Sequence, residues 1–121
     1  MDPITLIVPV AILVLFKIVS SKGNIKPAQL KEVMANGGKI IDVRSSMEYK
    51  SGHVKNALNI EHGSILNGVK KNKIKKETPL ILYCASGSRS SVACSTLKSD
   101  GFTNVYNAGT KFKMEKLIKS L

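Results

Sequence analysis

The sequence predicts an α/β domain built on an open, mostly parallel β-sheet. Two short apolar runs, residues 39–43 and 79–84, have the length and β-branched content of buried strands, and each ends at a polar residue or a turn. Segments with helical periodicity lie between and after these runs. Strands that alternate with helices favour parallel strands joined by helical crossovers.

The first half of the predicted domain reads as helix, strand, helix, strand, helix. Pro27 can serve as the first helical residue, because the N–H that proline lacks has no partner at that position. Asn36-Gly37-Gly38 ends this helix. The predicted elements are a helix to Ala35, a strand at 39–43, one or two helical turns at 45–50, a strand at 57–60 and a helix at 64–69.

The second half begins with a lysine-rich stretch, 70–76, which we interpret as a solvated connection, with contact to lipid as a weaker alternative. The clearest strand, 79–84, follows. The remaining predicted elements are a helix at 90–99 capped by Gly101, a strand at 105–107 and a helix at 111–121. In the last helix, Phe112, Leu117 and Ile118 are the expected core contacts.

Composition limits the possible classes of protein. A chain of 121 residues suffices for one compact domain. The net charge is +11, from 19 Lys plus Arg against 8 Asp plus Glu, yet no helix or ribbon motif for nucleic acid is present, so we expect no nucleic-acid partner. Two cysteines are too few for a disulfide framework and favour a reducing compartment.

The chain starts with an apolar segment. Residues 4–16 carry no charge, Lys17 interrupts, and Ile18 and Val19 extend the run to roughly 24 Å as a helix. A secretory signal is disfavoured by the acidic start and by the lack of a small-residue cleavage site. A buried core helix is disfavoured by Pro9.

We therefore expect a hydrophobic membrane-anchor helix at residues 1–19, a linker at 20–24 and the folded domain at 25–121. Membrane lipid would contact residues 4–19. Lysines follow this segment and none precedes it. The positive-inside tendency then predicts a single pass through a bacterial-type inner membrane, with the domain on the cytoplasmic side.

The loop after the clearest strand is the strongest candidate site. Ligands of open α/β sheets bind beyond the carboxyl ends of the strands, which is where Cys84 stands. The following residues are Ala85, Ser86, Gly87, Ser88 and Arg89. Small residues let successive backbone N–H groups converge, and a helix N-terminus adds further donors.

This setting favours an anion, and therefore the thiolate form of Cys84. Arg89 adds a positive charge at the rim of the loop. We expect an exposed thiolate of low pKa, able to attack sulfur or phosphorus. The alternative is a structural cysteine buried beside an incidental Ser/Gly turn.

With these residues in place, the sequence resembles the rhodanese family over residues 25–110. The matching pieces are Ile41-Asp42-Val43-Arg44, Glu48-Tyr49, Gly52-His53-Val54 with Ala57 and Asn59, Cys84-Ala85-Ser86-Gly87-Ser88-Arg89-Ser90, Gly101-Phe102, Val105-Tyr106 and Ala108-Gly109. The resemblance implies a parallel sheet of about five strands flanked by helices. It also implies a Cys84 persulfide as the covalent intermediate.

Loop length separates two chemistries within this resemblance. Sulfur-transferring rhodaneses have six residues from the cysteine onwards, and the similar phosphatases have seven. Cys84 to Arg89 is six residues, which favours sulfur. Two departures from the family pattern are Lys55-Asn56, where Pro-Gly is usual, and Ala85, where many members have a basic or polar residue. Recognition of a donor anion would then depend on Arg89 and on backbone N–H groups.

Other polar residues have structural interpretations. Asp42 and Arg44 end a strand, and Arg44 could pair with Glu48. His53 is expected to tether a turn. The positions of His53, His62, Cys84 and Cys94 do not match zinc spacing, so no metal or other cofactor is expected. Cys94 is expected in the core, with a role as resolving cysteine for Cys84 as the alternative.

The leading functional hypothesis is a membrane-tethered sulfurtransferase that moves sulfane sulfur from a small donor anion, thiosulfate or a persulfide, through Cys84. The acceptor would be cyanide, a thiol or a protein. One alternative is a non-catalytic or sensory rhodanese-like module that binds a partner at the membrane. The other, disfavoured by the six-residue loop, is a small phosphatase or arsenate reductase.

Overall fold

The computed structural model describes residues 24–121, which contain a four-stranded sheet. The strands are β1 (Lys39–Asp42), β2 (Leu58–Asn59), β3 (Leu80–Cys84) and β4 (Val105–Thr110). All neighbouring strands are parallel, in the order β2-β1-β3-β4. The predicted parallel α/β class is therefore confirmed.

The fifth strand implied by the resemblance is not found among the described residues. Asn24 makes a single parallel bridge to Asn107, and the N–H of Ile25 donates to the Asn107 carbonyl at 2.9 Å. This pairing stops because Pro27 begins a helix two residues later and has no N–H to offer a strand. Within residues 24–121, this edge pairing therefore remains a single bridge.

Helices cover both faces of the sheet. They are α1 (Pro27–Ala35), α2 (Ser46–Ser51), α3 (Ile65–Lys71), α4 (Ser88–Ser99) and α5 (Lys111–Lys119), with a 3-10 turn at His62–Ser64. The predicted start of α4 at residue 90 was two residues late. Gly87, with φ of +94°, turns the chain tightly enough for Ser88 and Arg89 to join the first helical turn.

Alternating residues of the central strands divide the core into two layers. Ile41, Leu80, Leu82 and Cys84 pack on the side covered by α3 and α4. Ile40, Ile81 and Tyr83 pack on the side covered by α1 and α5. Both layers are apolar because helices cover both faces of the sheet. Cys84 is therefore the last residue of a fully buried central strand, at its carboxyl end, where the crossover to α4 begins.

In the last helix, the prediction for Phe112 is wrong, because its side chain is 72% exposed. Met114 is fully buried instead, and the predicted Leu117 and Ile118 pack partly against the same cluster. At about 100° per residue, position 112 lies on the opposite side of the helix from 114. Positions 114, 117 and 118 share one face.

The predicted membrane anchor at 1–19 and most of the predicted linker lie outside the described residues. Within residues 24–121, no helix has both the length and the apolar character that crossing a bilayer requires.

Candidate active site

The loop after β3 surrounds the sulfur of Cys84 with hydrogen-bond donors. The backbone N–H of Gly87 donates to Cys84 Sγ at 2.9 Å, and that of Ser90 at 3.4 Å. The Ser90 hydroxyl also lies 3.4 Å from the sulfur. The two N–H groups converge because the left-handed Gly87 turns the loop and because Ser90 lies in the first turn of α4, where backbone N–H groups lack helical partners.

These contacts favour the ionised sulfur. Burial raises the pKa of the Cys84 thiol, whereas hydrogen bonds lower it. The lowering hydrogen bonds are that of the Ser90 side chain, in the orientation in which its hydroxyl donates to the sulfur, and those of the backbone N–H groups of Ser90, Gly87 and Ser86. The result is a pKa below the ordinary value of 9.0. The sequence-based expectation of a low pKa is therefore supported by geometry and by the position of the sulfur at a helix N-terminus.

The expectation that Cys84 is exposed is wrong for this conformation. Its exposed fraction is 0%, because β3 is covered on both faces and the loop curls over the strand end. Ala85, Ser86 and Ser88 are exposed on the outer side of the loop, and Gly87 and Arg89 are half-buried. The hydroxyls of Ser86 and Ser88 lie 2.9 Å apart at this rim. A reagent reaches the sulfur only if the loop residues move apart.

Arg89 forms a two-point ion pair with Glu48 of α2. Its Nη1 lies 2.7 Å from Glu48 Oε1, and its Nη2 lies 3.0 Å from Oε2. The hydrogen bond with Glu48 raises the pKa of Arg89, and the nearby Cys84 also contributes to the increase. The guanidinium thus remains within electrostatic reach of the sulfur, while the carboxylate fixes its orientation.

The predicted pairing of Arg44 with Glu48 is wrong. Arg44 instead forms an ion pair with Asp42, with Nη2 at 2.7 Å from Oδ2 and Nε at 3.0 Å from Oδ1. The Tyr83 hydroxyl donates to the same carboxylate at 2.7 Å. Both charged residues are buried, so a fixed planar pair is favoured over a contact with the partly exposed α2. The network joins the ends of β1 and β3 through Tyr83, the residue that directly precedes Cys84.

Ser90 and Asn107 are site residues that sequence reasoning missed. The Ser90 hydroxyl donates to Asn107 Oδ1 at 2.8 Å, and Ser90 is fully buried. Ser90 could have been found by extending the loop one residue beyond Arg89. Asn107 lies on β4, and its place beside the loop follows only from the pairing of β3 with β4.

The structure places Cys94 and His53 where the sequence predicts them. Cys94 is buried in the core, and burial raises the pKa of its thiol to about 12. Both cysteines are free. His53 Nδ1 lies 2.9 Å from the Tyr49 carbonyl, and its ring stacks on that of Tyr49 with centroids 3.6 Å apart. Within residues 24–121, no group of three or more metal-ligating side chains is found.

The ion pair of Glu48 predicts a specific acid sensitivity. Hydrogen bonds from Arg89, followed by that from the Ser45 N–H, lower the pKa of Glu48 from 4.5 to about 2. The unfolded chain therefore binds more protons than the folded chain in this range. The contribution of Glu48 to stability is complete above about pH 4.5 and is lost as the pH falls towards 2. Because the pair is partly exposed, the effect should be modest.

We expect Glu48→Gln to show a shallower fall of melting temperature between pH 4.5 and pH 2 than the parent chain. Thermal unfolding followed by circular dichroism across this pH range measures it. Glu32→Gln, which removes one carboxylate from α1, is the matched control and should follow the parent curve. Parallel curves for Glu48→Gln and the parent chain would contradict the prediction.

Together, the fold and the site define a single parallel α/β domain with a cysteine at the centre of a donor-rich strand–loop–helix turn. The family model described as rhodanese-like domain matches residues 26–109, and the chain belongs to this family.

Individual relatives agree with this assignment. The chain is 38% identical over 74 residues to the uncharacterized protein YqhL of Bacillus subtilis, a match that covers 61% of this chain and 57% of that protein. It is 26% identical over 95 residues to the thiosulfate sulfurtransferase GlpE of Pseudomonas paraeruginosa, covering 78% and 84% of the two chains. A solved structure described as a rhodanese with anions from E. coli superposes with a TM-score of 0.60 at 30% identity, covering 63% and 89%.

Proposed function

We propose that this protein is a sulfurtransferase that carries sulfane sulfur on Cys84 between a small donor and a thiophilic acceptor. The observation that carries the proposal is the pair of backbone N–H groups, from Gly87 and Ser90, directed at Cys84 Sγ. These donors stabilise negative charge on sulfur in the free thiolate. They are also placed to stabilise the anionic persulfide that would replace it.

The proposed reaction has two displacement steps. With thiosulfate, the Cys84 thiolate attacks the outer, sulfane sulfur; a new S–S bond forms and the bond to the sulfonyl sulfur breaks. Sulfite leaves with that electron pair, and Cys84 holds an anionic persulfide. Cyanide or a thiolate then attacks the outer sulfur and leaves as thiocyanate or as a new persulfide, which restores the Cys84 thiolate. Neither step requires a general base, because each nucleophile is already ionised.

The shape of the site favours sulfur over phosphorus. The loop from Cys84 to Arg89 is short, and Cys84 has no exposed surface, so a slim terminal sulfur atom is better suited to reach it than a tetrahedral phosphoryl group. Arg89 is also held by Glu48 instead of lying free above the loop. A phosphate dianion would have to compete with that carboxylate for the guanidinium.

Both thiosulfate and a low-molecular-weight persulfide fit the site as donors. Each brings negative charge towards a chain of net charge +11, and each presents a terminal sulfur. The GlpE relatives, named thiosulfate sulfurtransferases, support thiosulfate. Exposed Ala85 offers no side-chain hydrogen bond to a sulfonate group. This favours a persulfide as the donor, because a persulfide carries less negative charge than thiosulfate.

Mass spectrometry of the intact protein tests the function. After incubation with thiosulfate, or with glutathione persulfide, and removal of the donor, we expect a mass gain of about 32 Da that cyanide removes as thiocyanate. The absence of a gain with every donor would overturn the proposal. Turnover of an aryl phosphate would instead indicate the phosphatase alternative, and capture of a partner protein without sulfur loading would indicate the binding module.

We also propose that residues 4–19 anchor the protein in a membrane with the catalytic domain on the cytoplasmic side. The support is the uncharged run at 4–16 and the lysines that follow it. The full chain expressed in bacteria should remain in the membrane fraction after alkaline carbonate washing, and protease added to spheroplasts should leave the domain intact. Release by carbonate would contradict the anchor.

A further inference from the structure

The Ser90 hydroxyl lies near three hydrogen-bond acceptors but has only one proton to donate. Its Oγ lies 2.8 Å from Asn107 Oδ1, 3.1 Å from the Gly87 carbonyl oxygen and 3.4 Å from Cys84 Sγ. A hydroxyl has one proton to donate. When Cys84 is ionised, the amide oxygen, the carbonyl and the thiolate compete for that proton. The direction in which Ser90 donates therefore affects the charge on the sulfur.

The orientation of Asn107 is set by a second contact. The backbone N–H of Gly109 donates to Asn107 Oδ1 at 2.8 Å. An N–H group needs an acceptor opposite it, so the oxygen of the amide, and not its NH₂ group, must occupy this position. Because the same oxygen faces Ser90 Oγ, the serine hydroxyl has to be the donor between the two residues. The left-handed Gly109, with φ of +84°, presents its N–H at this point.

We propose that Asn107 is a positioning residue that directs the proton of the Ser90 hydroxyl away from Cys84 Sγ, so that Ser90 presents its oxygen lone pairs to the sulfur. This inference rests on the proposed role of Cys84 as the sulfur-carrying nucleophile. In this arrangement, the thiolate keeps the two backbone donors, Gly87 and Ser90 N–H, but not the hydroxyl. It also makes the Ser90 oxygen available as an acceptor for the S–H of the neutral form.

The consequence is a thiolate that is formed readily but is not fully stabilised. The backbone N–H donors lower the pKa of Cys84, and a Ser90 hydroxyl that donated to the sulfur would lower it further. Asn107 limits this fall, because it directs the Ser90 proton away from the sulfur. The intrinsic nucleophilicity of a thiolate decreases as its pKa decreases. Asn107 would therefore hold Cys84 in a range where it is both ionised and reactive towards sulfur.

The other charged and titratable groups on the elements near the loop are unchanged by the Asn107 and Ser90 substitutions, so they should not shift the midpoint between variants. Arg89 is paired with Glu48 from α2, and Arg44 with Asp42 on β1. Cys94 on α4 stays neutral near pH 7, because its pKa is about 12. From α5, Lys111 pairs with Glu115, and Lys113 packs near Gly109. His62 is exposed on the 3-10 turn.

The test is the pH dependence of Cys84 alkylation by iodoacetamide, measured in a Cys94→Ser background. Asn107→Ala and Asn107→Leu remove the amide acceptor and leave the Gly87 carbonyl and the thiolate to compete for the Ser90 proton. The charge of the thiolate makes it the stronger acceptor, so the midpoint should fall by about one pH unit. In a Ser90→Ala chain, the same Asn107 substitutions should leave the midpoint unchanged, because Asn107 acts through Ser90. Asn107→Asp keeps both accepted hydrogen bonds and adds negative charge, so its midpoint must not fall.

Asn59→Ala is the matched control. It removes a half-buried asparagine that donates to the Asp42 and Arg44 carbonyls on β1, and it should not move the midpoint. The proposal is overturned if Asn107→Ala or Asn107→Leu raises the midpoint or leaves it unchanged, or if their effects persist without the Ser90 hydroxyl. Asn107→Asp retains the native hydrogen bonds and is the variant expected to disturb the fold least. A lower midpoint for Asn107→Asp would also overturn the proposal.

Alkylation needs no sulfur donor, so this inference and the proposed function can fail separately. A chain that shows the predicted midpoints but never gains sulfur would retain the Ser90–Asn107 arrangement and reject the sulfurtransferase. A chain that gains sulfur but shows no Ser90-dependent shift would support the sulfurtransferase and reject the proposed role of Asn107.

Discussion

Cys84→Ser should lose sulfur loading completely and should reduce thiocyanate formation from thiosulfate and cyanide by at least about a thousandfold, to the background of the solution reaction. A serine hydroxyl is not ionised near pH 7 and cannot form the persulfide on which both displacement steps depend. The substitution is nearly isosteric, so the donors of Gly87 and Ser90 should remain in place. The readouts are thiocyanate release and the mass of the intact protein.

Cys94→Ser is the matched control for this experiment. Cys94 lies in the core on α4, with its pKa raised to about 12 by burial, so it has almost no thiolate near neutral pH. We expect this variant to gain sulfur as the parent chain does, although burying a hydroxyl should cost some stability. Sulfur loading that survives Cys84→Ser and disappears with Cys94→Ser would contradict the assignment of the nucleophile.

Asp42→Ala should give the largest loss of stability, about 3–5 kcal/mol in the free energy of unfolding. Asp42 is completely buried, and its carboxylate accepts hydrogen bonds from the Arg44 side chain and the Tyr83 hydroxyl. Removing it leaves the Arg44 guanidinium, whose side chain is only 9% exposed, without its counter-charge. Urea unfolding monitored by circular dichroism measures the change.

The exposed pair between Lys111 and Glu115 on α5 provides the control. Glu115→Gln breaks an ion pair that solvent already screens, so its unfolding curve should overlie that of the parent chain. Equal unfolding midpoints for Asp42→Ala and Glu115→Gln would show that the buried network does not stabilise the fold. Because Tyr83 directly precedes Cys84, we also expect the surviving folded Asp42→Ala protein to load sulfur more slowly.

The fold class and the position of the cysteine-centred loop were predictable because they depend on local patterns. A short run of buried apolar residues followed by Cys84 and a Ser/Gly loop specifies a strand, a turn and a helix start within about ten residues. The same holds for Pro27 at the start of α1, which the structure places as the first helical residue. The periodicity of α5 was also readable, although the register chosen for Phe112 was wrong.

The partners within the site were not predictable, because they join residues far apart in sequence. Arg89 and Glu48 are 41 residues apart, and Ser90 and Asn107 are 17 apart. Only the parallel stacking of β1, β3 and β4 brings these residues to one edge of the sheet. A local rule favoured Arg44 with Glu48, and the buried carboxylate of Asp42 outcompeted it.

The sequence by itself therefore determined the parallel α/β class and the cysteine-centred loop, since propensity, turn residues and periodicity act over a few residues. The tertiary structure alone decided that Cys84 is buried, that Glu48 holds Arg89, and that Asn107 accepts a hydrogen bond from Ser90. These features depend on which strands lie side by side. That choice is made by the burial of two apolar layers over the whole domain.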